Sequence, residues 1–187
     1  MNWGSYCYEV CEFWLGEQQQ IGGPGKTVEI DESKFGKSKY NRGRDIIGKW
    51  VFGLHERETK KLLLFPVQQR NSATLLPLVQ QHVLPGTTIY SDQWRAYEKL
   101  GKLGYVHQTV NHSEEFVTET GVHTQGIERS WRDAKSWVLR SGNKEELYHK
   151  YLARYLFARA FPVKQESFHT FLKYAAMLYK HPNAAPQ

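Results

Sequence analysis

The stretch "KWVFGLHERETKKLLLFPVQ", residues 49–68, restricts the fold more than any other part of the chain. Two apolar runs, Trp50–Glu56 and Leu62–Val67, flank a polar segment around Arg57–Lys60, the pattern of two antiparallel strands joined by a turn. A two-stranded hairpin does not bury its apolar surface alone, so its partners must come from the flanking segments. Downstream, "NSATLLPLVQQHVL" reads as a helix with Asn71 or Ser72 at its N-cap and Leu75, Leu76, Val79 and Val83 as its apolar positions, and Pro85-Gly86 stops it. "TTIYSD" is a β-branched strand finishing on Asp92, "WRAYEKLGKLG" a short helix ended by glycine, and "YVHQTVNH" another strand. Upstream, Val28–Ile30 is a short strand that ends on two adjacent carboxylates, Asp31 and Glu32.

The order is therefore strand, hairpin, helix, strand, helix, strand, and then three helical segments at about 124–139, 144–160 and 165–180. That order implies an α/β fold in which a mixed sheet is covered by helices on both faces. It is the order of a ribonuclease-H-like fold, here with extra C-terminal helices. The late helices carry stripes expected to be core: Ile127, Trp131, Ala134 and Val138; Leu147, Tyr151 and Tyr155; Phe168, Phe171, Leu172 and Ala175. Residues 1–20 read as an amphipathic helix, with Tyr6, Val10, Phe13 and Trp14 at helical spacing, and "IGGPGK" breaks it. The organisation expected is a helical segment over 1–22, a catalytic-type domain over 26–160, and a C-terminal helix and tail over 161–187. Cys7 and Cys11 share a helix face, but two thiols do not close a zinc site, so packing is their expected role. The chain has no signal-peptide pattern and no apolar run long enough to span a bilayer, and a reducing, intracellular setting is expected.

A formal charge of +6 favours a polyanionic partner. The stretch "KTVEIDESKFGKSKYNRGR", residues 26–44, sharpens this, because its acids are followed at once by positive charge in a Gly- and Tyr-containing segment that suits a loop. Asp31 and Asp92 each close an expected strand, and Glu128 lies in the first turns of the helix that follows. Turn residues at strand ends explain either aspartate alone. Carboxylates brought together from three elements instead repel one another unless cations lie between them. All-oxygen donors without clustered His or Cys suit magnesium or manganese, and two such ions favour in-line attack on a phosphodiester. Glu32 should point to the opposite side of the strand from Asp31 if extension persists. Trp94 and Trp131 read as core anchors in preference to base-stacking platforms.

The blocks "VEIDESKFGKSKYNRGR", "YSDQWRAY", "VNHSEEFV" and "GVHTQGIERSWRDAK" resemble the signature blocks of Merlin-type DDE transposases and their bacterial insertion-sequence relatives, the ISXO-like transposase domain, over about residues 26–160. The resemblance implies an Asp-Asp-Glu triad, Asp31, Asp92 and Glu128, holding two Mg2+ or Mn2+ ions. The 35 residues between Asp92 and Glu128 match the spacing in integrase-like enzymes. It implies DNA as the partner, metal-dependent strand cleavage and strand transfer as the activity, and a homodimer as the acting form. Lys34, Lys37, Lys39, Arg42 and Arg44 would meet the DNA backbone. Lys135, two helical turns beyond Glu128, would meet phosphate near the metals. His123 and Gln125 resemble a family His-Thr-Asn block in which Gln replaces the usual Asn, and His112 is expected to be structural. The residues before 26 show none of the DNA-binding modules such transposases carry, so a truncated or host-retained copy acting as a non-catalytic DNA-binding module is the alternative, and an RNA-strand nuclease a third. The compartment expected is the nucleus in a eukaryote and the cytoplasm or nucleoid in a bacterium.

Overall fold

The computed structural model describes residues 3–38, 46–110, 123–141 and 144–180. In it β2 (Thr27–Ser38), β3 (Ile46–Glu56) and β4 (Leu62–Val67) are consecutive antiparallel strands, and the Leu62–Val67 run pairs with Trp50–His55 as the hairpin pattern requires. β6 (Thr88–Asp92) adds parallel to the free side of β2, and β7 (Val106–Val110) adds parallel to β6. The five-stranded order is β4-β3-β2-β6-β7. Three antiparallel strands with two parallel strands beyond the first, and helices on both faces, make this a ribonuclease-H-like sheet. Two short strands, β1 (Ile21–Gly22) and β5 (Val83–Leu84), form a separate parallel pair.

Strand alternation sorts the core into two layers. Val28 and Ile30 of β2, Phe52 and Leu54 of β3, and Ile89 of β6 pack under α2 (Ser72–His82) and the 3-10 turns at Arg95–Tyr97 and Leu100–Leu103. The N-cap of α2 is Asn71, whose Oδ1 accepts the Thr74 N–H at 2.9 Å, and Leu75 and Val79 carry its inward face. The opposite layer holds Phe35, Val51, Leu62 and Leu64 of the sheet under α3 (Gln125–Arg140) and α4 (Tyr148–Ala160). α3 is registered by Ile127, Trp131, Ala134 and Val138, all buried; each large apolar side chain so buried contributes roughly 1.5–3 kcal/mol, which outweighs any intrinsic helix preference. α1 (Trp3–Gly16) seals this layer by edge-on aromatic contacts, Trp14 to Phe157 at 5.2 Å and Tyr8 to Tyr151 at 5.8 Å.

Two expectations change. Val28–Ile30 is only the first part of β2, which continues as a ribbon with β3 as far as the Ser38–Ile46 pair, so Asp31 and Glu32 lie inside a strand and do not close one. The residues after Asp31 keep the alternation of a paired strand, Phe35 facing inward, and pairing with Trp50–Ile46 overrides their loop-like composition. The stripe expected to bury α5 (Lys164–Leu178) does not do so. Phe168 is 65 % and Leu172 50 % exposed, and α5 is held through Phe171 on Phe157 and Tyr174 on Phe13. Composition marks an apolar stripe, but only the positions of α1 and α4 decide which part of it is covered.

Candidate active site

The parallel pairing of β2 with β6 aligns Thr27 with Thr88, Val28 with Ile89 and Glu29 with Tyr90. The ladder ends at that pair; two residues further along each strand stand Asp31 and Asp92, on the sheet face of Glu29 and Tyr90, and the charge of Asp92 reaches Asp31. α3 crosses that face with Glu128 in its first turn. The contact that fixes the crossing is polar: the Trp131 indole Nε1–H donates to Asp31 Oδ2 at 2.8 Å. A glycine makes room for it. Gly53 is the β3 partner of Asp31, and a Cβ there would lie 2.6 Å from Trp131 Cη2 and 2.7 Å from Ile127 Cδ1. Trp131 is thus a core anchor, as expected, and also holds one of the acids.

The electrostatics are those of an anionic cluster. Burial lifts the Asp31 carboxyl to about 6 in spite of the bonds it accepts from Trp131 and the Glu32 N–H, and the charges of Asp92 and Glu128 push it the same way. Asp31 therefore senses both other acids. Asp92 Oδ1 accepts the Trp94 N–H at 3.1 Å, and Glu128 Oε1 accepts the Thr124 hydroxyl at 3.0 Å. Glu32 turns to the other face, where the Tyr97 hydroxyl donates to it. Burial, then the charges of Asp31 and Asp92, raise it to about 8, opposed by Arg70. Lys135 stays on the Asp31 side: burial lowers its pKa, Asp31 opposes that, and its ammonium lies 5.7 Å from the Phe35 ring centre.

A buried carboxylate that feels the charges of two others, all with oxygen donors only, suits a hard divalent cation in donor type. Among the described residues, however, no group of three or more His, Cys, Asp or Glu side chains is drawn together in an arrangement that could hold a metal ion.

Of the basic residues expected at DNA, Lys34 shares the Glu32 face and lies over the Trp50 ring at 5.8 Å, away from Asp31. Lys37 is in β2, near the end of the β2–β3 ribbon. Lys39, Arg42, Arg44 and His112 lie outside the described residues. Sequence reasoning missed Glu29. Its carboxylate is 1 % exposed, takes Arg57 Nε at 2.7 Å and accepts the Ile127 N–H at 2.8 Å. The signal was present: Glu29 is two residues before Asp31 and so faces the same layer, a carboxylate at a core-facing position of an apolar strand. His123 joins this group through Arg57 and through its Nδ1, 3.9 Å from Glu29 Oε1.

Among the described residues no helix is long and apolar enough to cross a membrane. An uncharacterised transposase-like protein of Haemophilus influenzae is 32 % identical over 93 residues, covering 49 % of this chain and 75 % of the relative. The catalytic core domain of BIV integrase superposes with a TM-score of 0.49 at 13 % identity, over 82 % of this chain and 97 % of the other. A chain of the simian T-cell lymphotropic virus intasome, solved in complex with the PP2A regulatory subunit B56 gamma, gives 0.44 at 13 % identity, over 90 % of this chain and 61 % of the other. The model of the ISXO2-like transposase domain matches residues 21–162, the whole sheet and the helices α2 to α4, and the chain belongs to that family.

Proposed function

We propose that this domain cleaves DNA and transfers strands with Asp31, Asp92 and Glu128 as its acidic triad. The observation that carries the reading is the shared face: Asp31 and Asp92 lie two residues beyond the last β2–β6 pair, the charges of Asp92 and Glu128 both reach Asp31, and Trp131 ties the helix bearing Glu128 to it. The three carboxylates would hold Mg2+ or Mn2+, which when bound would activate the attacking hydroxyl or water and stabilise the leaving oxygen. The chain's own residues do the rest. Trp131 holds Asp31 by one oxygen, Asp92 is braced by the Trp94 N–H, and the Thr124 hydroxyl orients Glu128. Lys135, two turns beyond Glu128 and within electrostatic reach of Asp31, meets the phosphate bearing the reacting bond. Lys37, Lys39, Arg42 and Arg44, in and beyond the end of β2, contact the DNA backbone without reading its sequence, so affinity falls as salt rises. Paired DNA ends require paired sites, so the acting form is a dimer.

A nicking and strand-transfer assay on linear duplex with Mg2+ or Mn2+ tests this. Asp92→Asn is expected to abolish cleavage while leaving duplex binding in place; cleavage at the wild-type rate in that variant refutes the triad. The second reading, a DNA-binding module without catalysis, is favoured by the lack of a closed three-ligand group among the described residues. It predicts salt-sensitive binding and no metal-dependent cleavage by the unmodified chain.

A further inference from the structure

We propose that Glu29 and Arg57 form a clamp that positions the N-terminus of α3, and with it Glu128, over the acidic site; the inference rests on the triad reading for what the clamp positions. The N-cap side chain of the helix does not cap it. Thr124 stands at its N-cap position but makes no capping side-chain bond, its hydroxyl donating instead to Glu128. The N–H of Ile127 is taken by Glu29 Oε2 at 2.8 Å, from a residue 98 positions earlier in the chain. A carboxylate at a helix N-terminus is favoured by the dipole as well as by the bond. Glycine permits the approach: a Cβ on Gly126 would sit 2.8 Å from Glu29 Oε2 and 2.6 Å from His55 Nδ1 and Cε1.

The other carboxylate oxygen, Oε1, is held by Arg57 Nε at 2.7 Å. Arg57 in turn grips the segment leading into the helix, donating to the His123 carbonyl at 3.2 Å and contacting its ring nitrogen. Its guanidinium rests 4.8 Å from the centre of Tyr90, two residues before Asp92. One buried acid on β2 therefore connects three parts of the site. It shares a strand with Asp31, contacts the helix turn that carries Glu128 and, through Arg57, reaches the strand of Asp92. A buried acid needing only neutralisation would be satisfied by Arg57 alone; the bond to Ile127 is what makes this a positioning device.

The test compares the full chain with Glu29→Gln and Arg57→Gln. Three readouts are taken: amide hydrogen exchange at the start of α3, Mn2+ affinity in the absence of DNA, and the separate kcat and KM for nicking. Both variants are expected to speed exchange at Ile127 and to weaken Mn2+ binding and kcat by about tenfold or more, the usual cost of losing a residue behind a metal ligand, with KM for duplex nearly unchanged. If Glu29→Gln does not fold, Arg57→Gln decides, because Arg57 is partly exposed, at 22 % of its side chain. A folded variant with wild-type Ile127 exchange and wild-type Mn2+ affinity overturns the proposal, even if its melting temperature has fallen. If the unmodified chain neither binds Mn2+ nor nicks DNA, the triad reading fails, and Ile127 exchange alone decides whether the clamp exists.

Discussion

Trp131→Phe isolates one bond of the site. The indole N–H to Asp31 Oδ2, at 2.8 Å, is lost, while a ring of similar position remains against Phe35 and Gly53. A hydrogen bond to a charged group contributes roughly 1.5–3 kcal/mol and one to a neutral group roughly 0.5–1.5, so the bond is stronger by about 1–1.5 kcal/mol when Asp31 is ionised. That difference is about one pKa unit, so Asp31, lifted by burial to about 6 with the indole pulling it down, is raised further in the variant. The charge-dependent part of the stabilisation is present at high pH and is lost as pH falls through about 6. The packing loss from the smaller ring is the same at every pH and cancels. Urea unfolding of the metal-free protein at pH 5 and pH 8.5 should show a destabilisation larger by about 1–1.5 kcal/mol at the higher pH. Equal losses at the two pH values, or a larger loss at pH 5, would refute the claim that this indole supports an ionised Asp31.

Gly53→Ala drives a methyl into Trp131 and Ile127 at 2.6–2.7 Å and should cost about 1–3 kcal/mol in unfolding free energy, an overpacking penalty; an unchanged denaturation midpoint contradicts the close approach of α3. The raised carboxyls of Asp31 and Glu32 favour the folded state only while protonated. The metal-free melting temperature should therefore fall between pH 4 and pH 8, and added Mn2+ should raise it more at pH 8 than at pH 5, as scanning calorimetry can check. Burial pushes the Cys11 thiol up to about 12, so at pH 8 iodoacetamide should label half-buried Cys7 well before Cys11, and mass spectrometry of the folded chain reads the order.

The fold was legible where periodicity is local. The hairpin, the Asn71-capped helix, the strand ending on Asp92 and the inward stripe of α3 all follow from residue spacing, and each is found. Spacing says less where pairing supplies the energy. β2 continues eight residues beyond Ile30 because β3 offers it partners, and α5 keeps Phe168 exposed because no element among the described residues lies over it. The acids divide in the same way. Asp31 and Asp92 stood out at expected strand ends, whereas Glu29, Gly53 and Gly126 acquire meaning only from groups that approach them across the fold.

The sequence by itself determined which segments are strands and helices, where their apolar residues recur, and that Asp31, Asp92 and Glu128 lie on three separate elements. Tertiary structure alone decided that β6 lies beside β2 with Glu29 opposite Tyr90, two residues short of Asp31 and Asp92, and that α3 is held to the sheet by Trp131 and Glu29. The physical reason is range. Periodicity and capping act over one or two turns of chain, whereas the bond from Glu29 to Ile127 spans 98 residues and exists only after the sheet has assembled.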